Sequence, residues 1–173
     1  MPFTVAATLH LLDIRPSGKS YGDLIQPPKN LQLPMLKDVQ GKSFDAQQWL
    51  KKWSVVMVDS TNCAAQCQAK VLLLKQVHIS LNKDIKRVQL ILLLPVATQE
   101  EAIQELQKKY PDLKILIGGD AATVKFAGEF NVAGGKVYLV DPLGNLMMSY
   151  SDKMNSKELF SDLKRLLKNS WAG

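Results

Sequence analysis

Cys63 and Cys67 are the only cysteines of this 173-residue chain, four positions apart, with Ala64-Ala65-Gln66 between them. On a helix, positions i and i+4 share a face and lie about 6 Å apart along the axis, within the separation a disulfide tolerates. The polar stretch Asp59-Ser60-Thr61-Asn62 precedes them and a helical pattern follows. Cys63 is therefore expected where the first unpaired N–H groups of a helix converge, where the dipole favours a thiolate. Cys63 is then the expected nucleophile, and Cys67, one turn inside on the apolar stripe, its resolving partner. The same two sulfurs could hold Cu(I), a soft ion that accepts two thiolates. A bridge across so short a loop removes little unfolded-state entropy, so a chemical site explains the pair better than a structural staple does.

Other side chains add little to this site. His78 shares the stripe of Cys67 but lies about 16 Å further along the helix, too far to share an ion. The other histidine, His10, lies in the N-terminal arm. Met147 and Met148 are soft ligands on a strand, where alternation sends them to opposite faces, and they read as core. Two histidines so placed support no Ser/His/Asp set. Gly118-Gly119-Asp120 is too short for a nucleotide-binding signature.

The elements that must position the cysteines follow from the apolar pattern. Ser54-Val55-Val56-Met57-Val58 reads as a strand buried on both faces. From Ala64 to about Leu81, Cys67, Val71, Leu74, His78 and Leu81 form one helical stripe. Val88–Val96 is a second strand. Thr98 with Glu101 makes a capping box for a helix to about Lys109, and Leu113–Ile117 is a third strand. Asp120 opens a short helix toward Phe130. Lys136–Val140 and Leu146–Tyr150 form a hairpin around Asp141-Pro142-Leu143-Gly144-Asn145. Ser156 is the expected cap of a last helix bearing Leu159, Phe160, Leu163, Leu166 and Leu167. Ahead of all these, residues 15–34 are rich in Pro, Gly and polar groups and read as an extended connector. Two short strands around Gln40-Gly41 follow, and Asp45 caps a short helix. A βαβ half followed by a ββα half predicts a thioredoxin-like α/β fold, a mixed sheet flanked by helices with an N-terminal β-hairpin extension. The expected domains are an arm or linker over 1–32 and the thioredoxin-like domain over 33–170.

The net charge of +6 comes from Lys and Arg scattered along the chain, with no nucleic-acid motif and no row of stacking aromatics, so a nucleic-acid partner is not expected. The apolar stretch Phe3–Ile14 is too short to cross a bilayer and lacks signal-peptide features; two readings remain, an irregular terminal arm or the remnant of a membrane anchor.

Several segments together resemble one family: Gly41-Lys42-Ser43-Phe44, Lys52-Trp53-Ser54-Val55-Val56, Cys63-Ala-Ala-Gln-Cys67 and Val137-Tyr138-Leu139-Val140-Asp141-Pro142-Leu143-Gly144. Across residues 33–168 the chain resembles the Sco/SenC proteins, membrane-anchored thioredoxin-fold proteins that help assemble the copper site of cytochrome c oxidase. The resemblance implies a thiol–disulfide oxidoreductase working through Cys63 and Cys67, and it requires no cofactor. Its partner would be a cytochrome c oxidase subunit or a copper chaperone, met on the periplasmic side of a bacterial inner membrane by a tethered domain. The alternatives it leaves are a Cu(I) metallochaperone using the same cysteines, or a non-catalytic assembly factor. The family's copper site has a third ligand, a histidine, and Val132-Ala133-Gly134-Gly135 stands at its place here. The full copper site is therefore expected to be absent. Ala64 likewise replaces the proline that usually follows the first cysteine.

Overall fold

The computed structural model describes residues 20–60, 63–96, 100–130 and 137–170. Its centre is the strand β4, Trp53–Val58, in which every residue is buried. β5, Val88–Leu94, is equally buried and pairs parallel to β4, with Val55 opposite Leu90 and Val56 opposite Ile91. β6, Leu113–Ile117, continues the parallel set beyond β5. On the other side of β4, β7 (Val137–Val140) runs antiparallel, followed by β8 (Asn145–Tyr150). Strands covered on both faces need apolar residues at every position, which is why β4 and β5 are unbroken apolar runs.

The connections place the helices. α2 (Ala65–Ser80) follows β4, and α3 (Glu100–Lys109) joins β5 to β6. With α5 (Ser156–Asn169) they cover one face of the sheet, where Val55, Met57, Leu90 and Leu92 meet Val71, Leu74, Ile103 and Leu163. The alternate strand residues Val56, Val58, Ile91 and Leu93 point to the opposite face. There α1 (Ala46–Trp49) and α4 (Ala121–Gly128) pack on them. A chain of edge-to-face rings fills this second layer: Phe44–Trp49 at 5.7 Å, Trp49–Phe126 at 5.5 Å, Phe126–Phe130 at 5.3 Å and Phe130–Tyr138 at 5.4 Å. This is the thioredoxin-like mixed sheet expected from the order of elements. The N-terminal hairpin is β2 (Leu36–Asp38) with β3 (Ser43–Phe44), extending the sheet beyond β6. Its turn places Gly41 at φ +81°, a conformation that suits a residue with no Cβ.

Two expectations need correction. The span read as a connector carries a strand, β1 (Asp23–Asn30), which pairs antiparallel with β8 at the edge of the eight-stranded sheet. Pro27 and Pro28 fall where the register shifts between Leu24 and Lys29, so the missing N–H groups break no ladder. The cap of α5 is Asn155 rather than Ser156. The Asn155 side chain accepts from Glu158 N–H at 3.0 Å, and the Glu158 carboxylate accepts from Asn155 N–H at 3.3 Å. Asn155→Ala is expected to lower stability by about 1 kcal/mol in urea unfolding, whereas Ser156→Ala should change it by a few tenths only. Asp45 caps α1 as expected, its side chain accepting from Gln47 N–H at 3.0 Å, and α4 opens after Asp120 without a side-chain cap bond. Thr98 lies outside the described residues.

Candidate functional site

The cysteines sit where β4 hands over to α2. Asp59 leaves β4 with its N–H donated to the Leu93 carbonyl at 3.1 Å, which fixes the strand exit against β5. Cys63 has φ +58°, the left-handed region that non-glycine residues visit sparingly. Its carbonyl accepts from the Gln68 side chain at 3.1 Å, tying this turn to the helix. Ala64 is the N-cap and has no side-chain cap bond, so α2 begins at Ala65. The first helical bond of the turn runs from Gln68 N–H to the Ala64 carbonyl at 3.0 Å. The N–H groups before it have no acceptor in the helix, and no acidic residue of the first turn faces them.

Cys63 and Cys67 are joined as a disulfide. Because Cys63 stands outside the helix rather than in its first turn, the two Cα atoms are 4.8 Å apart, closer than two residues of one helical turn. Cys63 is 1% exposed and belongs to the core beneath the sheet, and Cys67 packs against the same core. Cys67 lines a cleft of about 670 Å³ between the end of β4, the first turns of α2 and the turn linking β8 to α5. Met57, Asp59, Lys70 and Met154 line the same cleft. Lys70 spans its rim, donating to the Asp152 carbonyl at 3.0 Å with the Asp152 carboxylate at 3.7 Å.

Asp59 was visible in the sequence only as part of a polar turn. A carboxylate oxygen of Asp59 and the sulfurs of Cys63 and Cys67 all lie within 4.8 Å of one another. The signal that could have found it is a carboxylate on the first residue after a buried strand, held near its end by the sheet. As a metal set, two sulfurs suit Cu(I) once the disulfide is reduced, but a carboxylate is a hard donor and does not complete a soft site. Met148 is in the core and Met147 is partly buried against the same cluster, not on the opposite face that alternation predicts, because the register of β7 and β8 shifts there. His78 is buried in α2, its Nε2 within 2.9 Å of the Ile85 carbonyl and 2.8 Å of the Val88 carbonyl. It serves the packing of the 3₁₀ turn Asn82–Arg87 against the helix and lies apart from the cysteines. His10 and the segment Val132–Gly135 lie outside the described residues.

The profile of one family, described as transmembrane-like, thioredoxin-like, C-terminal domain, matches residues 53–170. The chain belongs to that family. No curated protein matches the thioredoxin-like chain. Among solved structures it is similar to apo Sco1 from Thermus thermophilus, at 23% identity, covering 86% of this chain and 98% of that one with a TM-score of 0.72. It is similar to yeast Sco1 with copper bound, at 20% identity over 89% and 96% of the two chains, TM-score 0.66. It is also similar to BsSco, a member of the Sco family of cytochrome c oxidase assembly proteins in which a disulfide switch is identified, at 17% identity over 83% and 97%, TM-score 0.65. Thus the thioredoxin-like domain shares the fold of Sco/SenC structures. Among the described residues no helix is long and apolar enough to cross a membrane.

Proposed function

We propose that this thioredoxin-like domain is a thiol–disulfide oxidoreductase that acts through Cys63 and Cys67 in the biogenesis of the cytochrome c oxidase copper site. The observation that carries the reading is the bonded cysteine pair at the mouth of α2, with Cys67 among the residues that line a cleft. A bridge that spans one turn of chain beside a cleft is suited to opening and closing, since thiol–disulfide exchange requires access to a sulfur. The disulfide switch of BsSco supports the same chemistry on this fold. On this reading the partner is a protein dithiol or disulfide, such as the copper-binding cysteines of an oxidase subunit or of a copper chaperone. The domain works on the periplasmic side of a bacterial inner membrane, tethered ahead of β1.

The test is a redox titration of the native chain in glutathione buffers, read by mass after alkylation. The expected result is a single two-electron step between no thiol and two, with the reduced form able to reduce a disulfide in a cysteine-pair peptide. A bridge that dithiothreitol opens only when the chain is unfolded would overturn the proposal.

A second reading is favoured by the two adjacent sulfurs and by the copper of yeast Sco1: Cu(I) carriage, with the ion as cargo on the reduced cysteines. A Cu(I) competition titration on anaerobically reduced protein, with Cys63→Ser as control, separates the two. Weak binding is expected, because two sulfurs and a carboxylate make a poor soft site. Tight one-to-one binding lost in the variant would put copper carriage ahead of redox work.

A further inference from the structure

We propose that the end of the domain opposite the cysteines is a docking surface for an anionic lipid bilayer. The inference is independent of the oxidoreductase reading, since it concerns other residues and holds whatever the cysteines do. Lys and Arg are scattered along the sequence, but the fold gathers many of them at one pole. β4 and β5 are parallel and begin side by side, Trp53 opposite Val88. Lys51 and Lys52 stand just before the first, and Lys83, Lys86 and Arg87 of the 3₁₀ turn just before the second. The end of α5 packs beside them. Lys164 donates to the Asp84 carboxylate at 3.3 Å, and Arg87 donates to the Ser170 carbonyl at 2.6 Å, which brings Lys168 of the last turn to the same pole. The acidic groups at this end are engaged within the fold. Asp84 pairs with Arg87 as well as Lys164, Asp112 pairs with Lys75 at 3.1 Å, and Asp141 accepts from Leu143 N–H and Asn145 N–H. By contrast Lys51, Lys52, Lys83, Lys86 and Lys168 are exposed, and among the described residues none of them makes an ion pair.

A second observation points to lipid. The turn between β7 and β8 reaches the same pole, because β7 ends with Val140 opposite Ser54. Lys51 N–H donates to the Pro142 carbonyl at 3.0 Å, which seats the turn beside the two lysines. Leu143 at its tip is 73% exposed, the most exposed large apolar side chain among the described residues. Cations around an exposed leucine match a headgroup layer: the ammoniums meet lipid phosphates, and the leucine enters the acyl boundary. Lysine is a point charge on a flexible stem, which suits a fluid array of phosphates better than the fixed carboxylates of an acidic protein. The cysteine end carries both signs, Asp59 and Asp152 beside Lys70 and Lys153, and offers anionic lipid no such face. The six residues of β4 hold the two ends about 20 Å apart. A domain resting on this pole therefore presents Cys63 and Cys67 to the aqueous phase, where a protein partner meets them. β1 starts beside the cysteine end, Asp23 opposite Ser149, so a tether ahead of it does not by itself decide which end faces the bilayer. The basic pole does.

The test is co-sedimentation of the full chain with vesicles of phosphatidylcholine, alone or with about 30% phosphatidylglycerol, at about 0.05 M and 0.5 M salt. Binding is expected to the anionic vesicles at low salt and to fall about tenfold or more at high salt or on neutral vesicles. Lys83→Glu combined with Lys86→Glu should weaken it about tenfold or more. Lys153→Glu combined with Lys157→Glu makes the same change in net charge at exposed positions of the cysteine end, and should weaken it less than about threefold. Leu143→Ser, on a separate element, should weaken it about threefold. Circular dichroism confirms that each variant is folded, and the salt and lipid comparisons on the unaltered chain need no variant. Equal losses from the two lysine pairs would overturn the proposal, since net charge rather than this pole would then be at work. Binding indifferent to phosphatidylglycerol and salt, as attachment through the apolar stretch Phe3–Ile14 would be, also overturns it. So does binding to a polyglutamate peptide with none to the vesicles, which would make the pole a surface for an acidic protein. The redox titration above is untouched by any of these results.

Discussion

Replacing Cys63 and Cys67 together by alanine should abolish two-electron exchange in glutathione buffers while lowering stability by only about 2 kcal/mol. The magnitude follows from loop closure. The bridge spans four positions, and closing a loop of about five residues restricts the unfolded chain by about 2 kcal/mol at 25 °C. That is the low end of what a disulfide contributes, and a chain of 173 residues with a two-sided core has other means of stability. Chemistry and stability are therefore expected to separate in this variant. Urea unfolding with circular dichroism gives the second quantity, and alkylation mass shifts give the first. A loss above about 5 kcal/mol, or failure to fold, would mean that the bridge is a staple and that its place beside a cleft has no chemical use.

The large elements were legible because burial left one pattern available to them. The strands at the centre of the sheet are covered on both sides, so Val55, Val56, Met57 and Val58 form a run that no exposed element would carry. The hairpin before β4 announced itself through Gly41. Met147 and Met148 do not divide between the faces as alternation predicts, because the register of β7 and β8 shifts across Met147 and both methionines pack on the same core cluster. The edge strand β1 was not legible, because Pro27-Pro28 is a strong connector signal. Only the partner strand β8, more than a hundred residues away, shows that an edge with a register shift tolerates both prolines. The α5 cap was readable and was misread by one residue. Asn155 has Glu158 three positions on, whereas Ser156 has Leu159 there, so the reciprocal box selects Asn155.

The site was legible as a pair and not as a geometry. Spacing of four is ambiguous between two residues of one helical turn and a residue outside the helix facing one at its third position. The backbone angle of Cys63 decides between them, and nothing in Cys-Ala-Ala-Gln-Cys reports a positive φ on a residue other than glycine. Asp59 was hidden for a related reason. A carboxylate just after a strand is common as a turn residue, and its approach to the sulfurs depends on how the chain folds back between them.

The same long-range dependence governs the largest stability effect expected. Asp162 lies on α5 and is 2% exposed. It accepts from Tyr21 N–H at 3.2 Å, from Gly22 N–H at 2.9 Å and from the Tyr150 hydroxyl at 2.7 Å. One carboxyl group thus joins the start of β1, the end of β8 and the last helix. Gly22 permits the closeness: a Cβ there would stand 2.7 Å from the Tyr150 ring. Asp162→Ala removes the acceptor from three donors in or near the core and should cost about 3–5 kcal/mol in urea unfolding. Tyr150→Phe keeps the ring and removes one bond, for about 1–3 kcal/mol. The two variants differ further in alkali. Burial first, and then the negative charge of Asp162, pushes the Tyr150 hydroxyl well above its ordinary value of 10.0. Above pH 10 the unfolded chain releases this proton and the native chain keeps it, so the unfolded state binds fewer protons and stability falls as pH rises. The contribution is complete below pH 10 and is lost at up to about 1.4 kcal/mol per pH unit beyond it. Tyr150→Phe should flatten that limb, leaving a residual slope from Tyr138, whose hydroxyl burial also raises. An unchanged alkaline slope in Tyr150→Phe would show that the tyrosine is free to ionise in the native chain. It would then not hold the strand that leads into Asp152 and Met154, and the cleft wall beside Cys67 would need another anchor.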